Sequence, residues 1–267
     1  TLRLDPRWHG SGRSITKFRK GTFMTSNATN NTALVIGAGD YLGLAIARRF
    51  ARDGLHVVGT RRRGDLTRLV DTITADGGSA TGVHSDARDE AQVCALIAEV
   101  EANHGPIEVA VFNVGGNVRY PLLETTSRVY RKVWEMCAFG GFLVGREVAR
   151  AMLPRGRGTI LFTGATASVR GGAGFSAFAG GKHALRALAQ SMARELAPQG
   201  IHVAHVVIDG PIDNDNSREL FPDVYAGRAE DAVLQPDDIA EIYAHLHRQP
   251  RSAWTFETDV RSYAEPW

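Results

Sequence analysis

The chain is poor in cysteine: Cys94 and Cys137 are the only two among 267 residues. Two thiols so far apart exclude a disulfide framework and the usual zinc ligand sets, so no metal is expected. So few thiols fit a reducing, cytoplasmic setting. No apolar run reaches the length of a bilayer span, so no membrane partner is expected. Acids are scarce at the start, where Asp5 alone faces Arg3, Arg7, Arg13, Lys17, Arg19 and Lys20. Residues 1–31 therefore carry +5, and because the whole chain is +2, the other 236 residues carry −3. The basic excess belongs to this leader and gives no ground for nucleic-acid binding by the folded body.

Residues 1–31 are rich in Gly, Ser, Thr and Asn and show no sustained periodicity. They read as a disordered leader or tag, with Met24 close to the natural start. An organellar transit peptide is the second reading, whereas a secretory signal is excluded because there is no apolar h-region. Residues 32–267 read as one domain, since neither a linker nor an internal repeat interrupts them.

What is there is alternation. Strands are expected at 32–37, 55–60, 79–84, 107–113, 158–163, 201–208 and near 254–258. Helices are expected at 41–53, 65–76, 89–104, 124–152, 174–198 and 237–247. Near-continuous apolar strands such as Val109 to Val114 suit a sheet covered on both faces. Short loops between strand and helix imply parallel strands and right-handed crossovers. The fold class is α/β: a doubly wound Rossmann fold of about seven parallel strands. Residues 209–235 break the rhythm with Pro211 and Pro222, and read either as a cover over a substrate or as a solvated connection.

The first strand-to-helix turn carries Gly37, Gly39 and Gly43. Glycines there let a pyrophosphate approach the backbone, and the helix N-terminus adds unpaired N–H groups and a favourable dipole. The spacing is one residue longer than the usual dinucleotide fingerprint. The second strand runs into Arg61-Arg62-Arg63, where an NAD enzyme commonly places an acid. Arginines at that place pair with the 2′-phosphate of NADP, with a solvated basic turn as the alternative. Asp86-Ala87 follows the third strand, where Asp86 either accepts from an adenine amino group or caps the next helix. Asn113-Val114-Gly115-Gly116 follows the fourth. There Asn113 is expected to tie neighbouring strands together, and the glycines to leave room for a ribose.

These features together resemble the short-chain dehydrogenase/reductase superfamily over about 32–258. The superfamily's glycine loop corresponds to Ile36 through Gly43, with Tyr41 where its middle glycine is expected and Leu42 beside it. Its Asn-Asn-Ala-Gly stretch corresponds to Asn113 through Gly116, and its Pro-Gly segment to Asp209-Gly210-Pro211-Ile212. The resemblance implies that the Ile212 backbone meets a nicotinamide amide. It also implies a homodimer or homotetramer built on helices 124–152 and 174–198.

The catalytic set departs from that pattern. The resemblance implies Tyr-x-x-x-Lys on the long helix, a Ser 13 residues earlier, and an Asn on the preceding helix. Lys182 is present, but the tyrosine position is Phe178, the serine position Ala165 and the asparagine position Cys137. The enoyl-reductase variant, with Tyr seven residues before the Lys, meets Phe175 instead. Residues at i and i+4 share a helix face, so a Tyr there would have its pKa lowered by the ammonium. Phenylalanine has no proton to move, and losing such help costs about 10²–10⁴ in rate.

Thr163, Thr166 and Ser168 flank the serine position and read more simply as loop hydroxyls bonding local backbone. Tyr120 is the candidate replacement phenol, otherwise a pocket wall. Lys182 itself has two roles to choose from, binding the nicotinamide ribose or donating a proton if burial lowers its pKa. The expected function is NADP-dependent hydride transfer to or from a small carbonyl or alcohol, with an atypical proton donor. Phe175 and Phe178 make an apolar substrate the expectation. The alternatives are a degenerate NADP(H)-binding sensor or silent subunit, and a non-redox enzyme on the same fold.

Overall fold

The computed structural model describes residues 31–220, 222–226 and 230–265; apart from Asn31, the expected leader lies outside them. Seven strands form one sheet in the order β3-β2-β1-β4-β5-β6-β7. They are β1 (Thr32–Ile36), β2 (His56–Arg61), β3 (Ala80–His84), β4 (Ile107–Phe112), β5 (Gly158–Thr163), β6 (Ile201–Ile208) and β7 (Glu257–Val260). Every pairing is parallel. β1 and β6 are buried along their whole length, which is why they read as mostly apolar runs, broken by Thr32, His202 and His205, rather than alternating ones.

Helices cover both faces. On one side α1 (Leu42–Arg52) and α2 (Thr67–Ala75) pack with the later α9 (Pro236–Arg248), around Phe50, Ile73 and Tyr243. On the other, α3 (Glu90–Asn103), α5 (Gly140–Met152) and α6 (Ser176–Leu196) pack around Phe112, Leu143 and Phe162. The strand order reverses at β1, with β2 on one side and β4 on the other. At such a switch point the loops diverge and leave a crevice at the carboxyl ends of the strands.

Three expectations shift. The helix expected over 124–152 starts later, at α4 (Ser127–Trp134), because Thr126 Oγ1 caps it by accepting from Val129 N. One widened π turn, Glu135–Phe139, then separates α4 from α5. The last strand arrives three residues late. Before it, Trp254 stacks on His202 of β6 at 4.9 Å and donates its Nε1–H to Gln249 O, so side-chain contacts precede the ladder that begins at Glu257. Within 209–235 the structure adds α7 (Asp215–Leu220) and α8 (Pro222–Tyr225). A parallel bridge between Ile212 and Leu234 closes the base of this excursion.

Candidate functional site

The glycine turn is fixed by the backbone. Gly37 N and Ala38 N both donate to Thr60 O, at 2.8 and 2.9 Å, tying the end of β1 to β2. Asn113 N donates to Ile36 O at 2.8 Å and Asn113 Nδ2 to Gly37 O at 3.1 Å, tying the same turn to β4. Gly37 has φ +87°, and a Cβ there would sit 2.7 Å from Asn113 O. A Cβ on Gly43 would sit 2.5 Å from Gly37 O and 2.7 Å from Ala38 Cα. Rigid backbone surrounds both positions, so only glycine fits. Gly39 differs, with open space beside it.

Two cavities open from this turn. The smaller, about 280 Å³, lies over β2 and β3 and is lined by Gly37, Gly39, Arg61, Arg62, Asp86 and Ala87. Thr60 and Ser85 also line it, and their buried hydroxyls have no hydrogen-bond partner among the described residues. Unmet buried hydroxyls are uncommon and suit a polar ligand.

The basic pair is engaged. Arg61 Nη1 lies 3.2 Å from Asp40 Oδ1, and Arg61 also donates to Asp65 O. Arg62 Nη1 lies 3.8 Å from Asp86 Oδ2. Asp86 does not cap α3; Asp89 does, accepting from Gln92 N at 3.1 Å. The Asp86 carboxylate instead takes Arg88 Nε at 2.9 Å and Nη2 at 2.6 Å. That bidentate pair holds Asp86 below the usual carboxylate range.

The larger cavity, about 740 Å³, shares Asn113, Val114 and Gly115 with the smaller one. The two therefore form one continuous cleft across the carboxyl end of the sheet. Tyr41 and Leu42 reach its wall from the start of α1. Its floor holds Ala165, Phe178 and Lys182, and Ile212 closes it from the excursion after β6. Lys182 is 3% exposed, and its Nζ donates to Thr163 O at 2.7 Å and Val114 O at 3.3 Å. Burial lowers its pKa, with Cys137 nearby pulling weakly the other way. The Phe178 ring centre lies 5.9 Å from Nζ.

The remaining candidates fall outside that floor. Cys137 is fully buried in the π turn and packs where α4–α5 crosses α6, against Gly181. Burial pushes its thiol pKa up. Tyr120 does not line the cavity and is 43% exposed; its backbone N–H donates to Gly174 O at 2.8 Å. The loop hydroxyls are engaged as well. Thr163 Oγ1 meets Tyr243 OH at 2.7 Å, Ser168 Oγ accepts from Ala165 N at 3.1 Å, and Thr166 donates to Asp209.

Sequence reading missed Arg88 in the smaller cavity, and Arg170, Asn214 and Ser217 in the larger. The latter two belong to the excursion after β6, which therefore covers the cavity instead of running as a solvated connection. Asn214 Oδ1 caps α7 by accepting from Ser217 N at 2.8 Å. An Asn three residues before a Ser is a common helix start, so that signal was readable. Arg170 offered none, because a loop arginine looks like any solvated one.

Comparison with known proteins agrees with this architecture. The short chain dehydrogenase family matches residues 31–224. Over 239 residues the chain is 31% identical to "Dehydrogenase/reductase SDR family member 4" of Pongo abelii, covering 86% of each chain. It is 50% identical to a short-chain dehydrogenase of known structure from Rhodopseudomonas palustris, with TM-score 0.75, covering 88% of this chain and 99% of that one. A metagenomic short-chain oxidoreductase in complex with NADP is 28% identical with TM-score 0.73, covering 88% and 97%. With its seven-stranded parallel sheet, its glycine turn at the switch point and a buried lysine facing the cleft, the chain belongs to the short-chain dehydrogenase/reductase superfamily.

Proposed function

We propose that this protein is an NADP-dependent oxidoreductase that interconverts a small carbonyl and its alcohol, with Lys182 in place of a phenol as the proton donor. One observation carries the reading: a single cleft runs from Arg61 and Arg62 at one end to buried Lys182 at the other. The cleft fits a dinucleotide on its own terms. Gly37 and Gly43 leave room no Cβ would, and the orphaned hydroxyls of Thr60 and Ser85 face the adenosine end. A relative with NADP bound has the same fold. Gly37, Gly39, Tyr41, Leu42 and Gly43 would hold the pyrophosphate. Asp86, Ala87 and Ser85 would hold the adenine, Arg62 with Arg61 the 2′-phosphate, and Asn113, Gly115, Lys182 and Ile212 the nicotinamide half. Bound there, the dinucleotide supplies a hydride.

The chain's own part is the proton. Two of the three Nζ donors of Lys182 are directed at Thr163 O and Val114 O, leaving the third for the cavity it lines. Burial favours the neutral amine, so Nζ gives up its proton more readily than an exposed lysine does. Phe178 and Ala165 supply apolar wall that keeps water from the oxygen receiving it. The chain would act as one domain over 32–267 in the cytoplasm. Homodimers or homotetramers would form through α4–α5 and α6, where Trp134 and Phe142 are exposed.

NADPH deuterated at C4 tests this against a panel of small ketones and aldehydes. Deuterium should appear on the product carbon, and kcat should rise as pH falls through the lowered Lys182 pKa. That limb should be absent from Lys182→Met. Nucleotide binding with no deuterium transfer to any carbonyl would favour the second reading, a binding protein without turnover. That reading rests on the engagement of Thr163, Thr166 and Ser168 elsewhere, which leaves no hydroxyl at the serine position.

A further inference from the structure

The larger cavity is lined by two formally charged side chains among the described residues, Lys182 and Arg170, and by no acid. Lys182 is directed at backbone carbonyls. Arg170 is different: its side chain is 52% exposed, and its one polar contact among the described residues is Nη2 to Asp209 Oδ1 at 3.4 Å. Asp209 does not depend on that contact. It is 2% exposed, accepts from Thr166 Oγ1, and pairs with Arg261 Nη2 at 3.0 Å. Asp209 thus anchors Arg170 by one Nη2 at 3.4 Å, while half of the arginine side chain stays exposed where it lines the cavity.

A substrate filling this cavity removes water from Arg170. An apolar substrate would strip water from the guanidinium and leave it only the long 3.4 Å contact with Asp209, which is unfavourable. A carboxylate matches the planar fork with two parallel hydrogen bonds. We infer that the substrate is an oxo acid or hydroxy acid whose carboxylate is held by Arg170, with its carbon chain against Phe175 and Phe178. This rests on the oxidoreductase reading above and replaces the apolar substrate suggested by the two phenylalanines alone. Arg170 then decides which carbonyl compounds are accepted.

The test uses the full chain with NADPH and a series of straight-chain oxo acids of increasing carboxylate-to-carbonyl distance, each beside its methyl ester. At least one acid should exceed its ester tenfold or more in kcat/KM. In Arg170→Gln that ratio should fall toward one, chiefly through KM. A second arm needs no turnover: saturated acids of matching length should raise the Tm of the wild type but not of Arg170→Gln, whose own Tm reports that it folds. Esters equal to acids, or an acid preference that survives Arg170→Gln, would overturn the inference, as would saturated acids that fail to raise Tm. A tenfold loss of NADPH affinity in Arg170→Gln would place the anion on the dinucleotide and also overturn it. If NADPH does not bind at all, the oxidoreductase reading fails separately, and the Tm arm on the protein alone still decides whether Arg170 holds a carboxylate.

Discussion

The two ends of the cleft hold their charged groups in different ways. At the adenosine end the groups are paired at the surface: Asp86 with Arg88 and Arg62, and Arg61 with Asp40. At the other end two are buried, while Arg170 is half-exposed. Lys182 is 3% exposed, and His205 is fully buried behind Gly164, with its Nε2 lacking a partner among the described residues. Pairing favours the charged form and burial the neutral one. The paired arginines thus suit gripping an anion, and the buried Lys182 suits moving a proton. Phe178 and Ala165 stand at the tyrosine and serine positions of the resemblance, while the turn keeps Gly37 and Gly43 and has Tyr41 in place of the middle glycine. Gly37 and Gly43 are hemmed in by backbone, whereas the floor at Ala165 and Phe178 is lined by side chains.

The largest effect should come from breaking the constrained end. In Gly43→Ala the new Cβ meets Gly37 O and Ala38 Cα, neither of which can move without moving β1. Stability should drop by about 3 kcal/mol and NADPH affinity by roughly 100-fold, read by denaturant melts and nucleotide titration. Gly39→Ala, with open space around it, is the control and should fold as the wild type does.

The buried end should be the acid-sensitive one. His205 Nδ1 donates to Glu257 Oε2 at 2.9 Å, Arg186 grips the same carboxylate, and Lys182 adds a repulsive charge. Burial outweighs Glu257 and pushes His205 down to about 4 from an ordinary 6.5. Between those values the unfolded chain takes up a proton that the fold refuses, so stability falls as pH falls. From pH 8 to pH 5 the loss assignable to His205 should be about 2 kcal/mol. Urea melts of the wild type and His205→Asn should show a flatter acid limb in the variant, and equal slopes would contradict the assignment.

A smaller effect sharpens the contrast. Phe178→Tyr adds a phenol on the helix face it shares with Lys182, four residues away. Turnover should rise about tenfold if proton delivery limits the rate. No change would show that Lys182 already suffices.

Much of this was legible in the sequence. The parallel strands and both helical layers followed from apolar runs alternating with helical spacing, and the Gly37–Gly43 turn from its place after β1. The floor was legible as a set of absences only through the resemblance, whose Tyr-x-x-x-Lys spacing, laid on Lys182, falls on Phe178. What stayed hidden depends on where side chains turn. Tyr120 reads in the sequence as a phenol for the site, yet it is half-exposed and lines no part of the cavity, whereas Tyr41 does. Asp86 could not be assigned between adenine and helix cap, because the nearby Asp89 is an equally good cap and Arg88 competes for the carboxylate. The π turn at Cys137 left no trace in periodicity, since one extra residue in a turn is smaller than the scatter of the pattern.

The central claim is that the complete end of this cleft binds NADPH through its basic pair. Titration of the purified protein with NADPH and with NADH, followed by nicotinamide fluorescence, tests it most directly. The account predicts saturable NADPH binding at least tenfold tighter than NADH, a difference of about 1.4 kcal/mol. Equal affinities would remove Arg61 and Arg62 from the account, and no binding of either nucleotide would contradict it altogether.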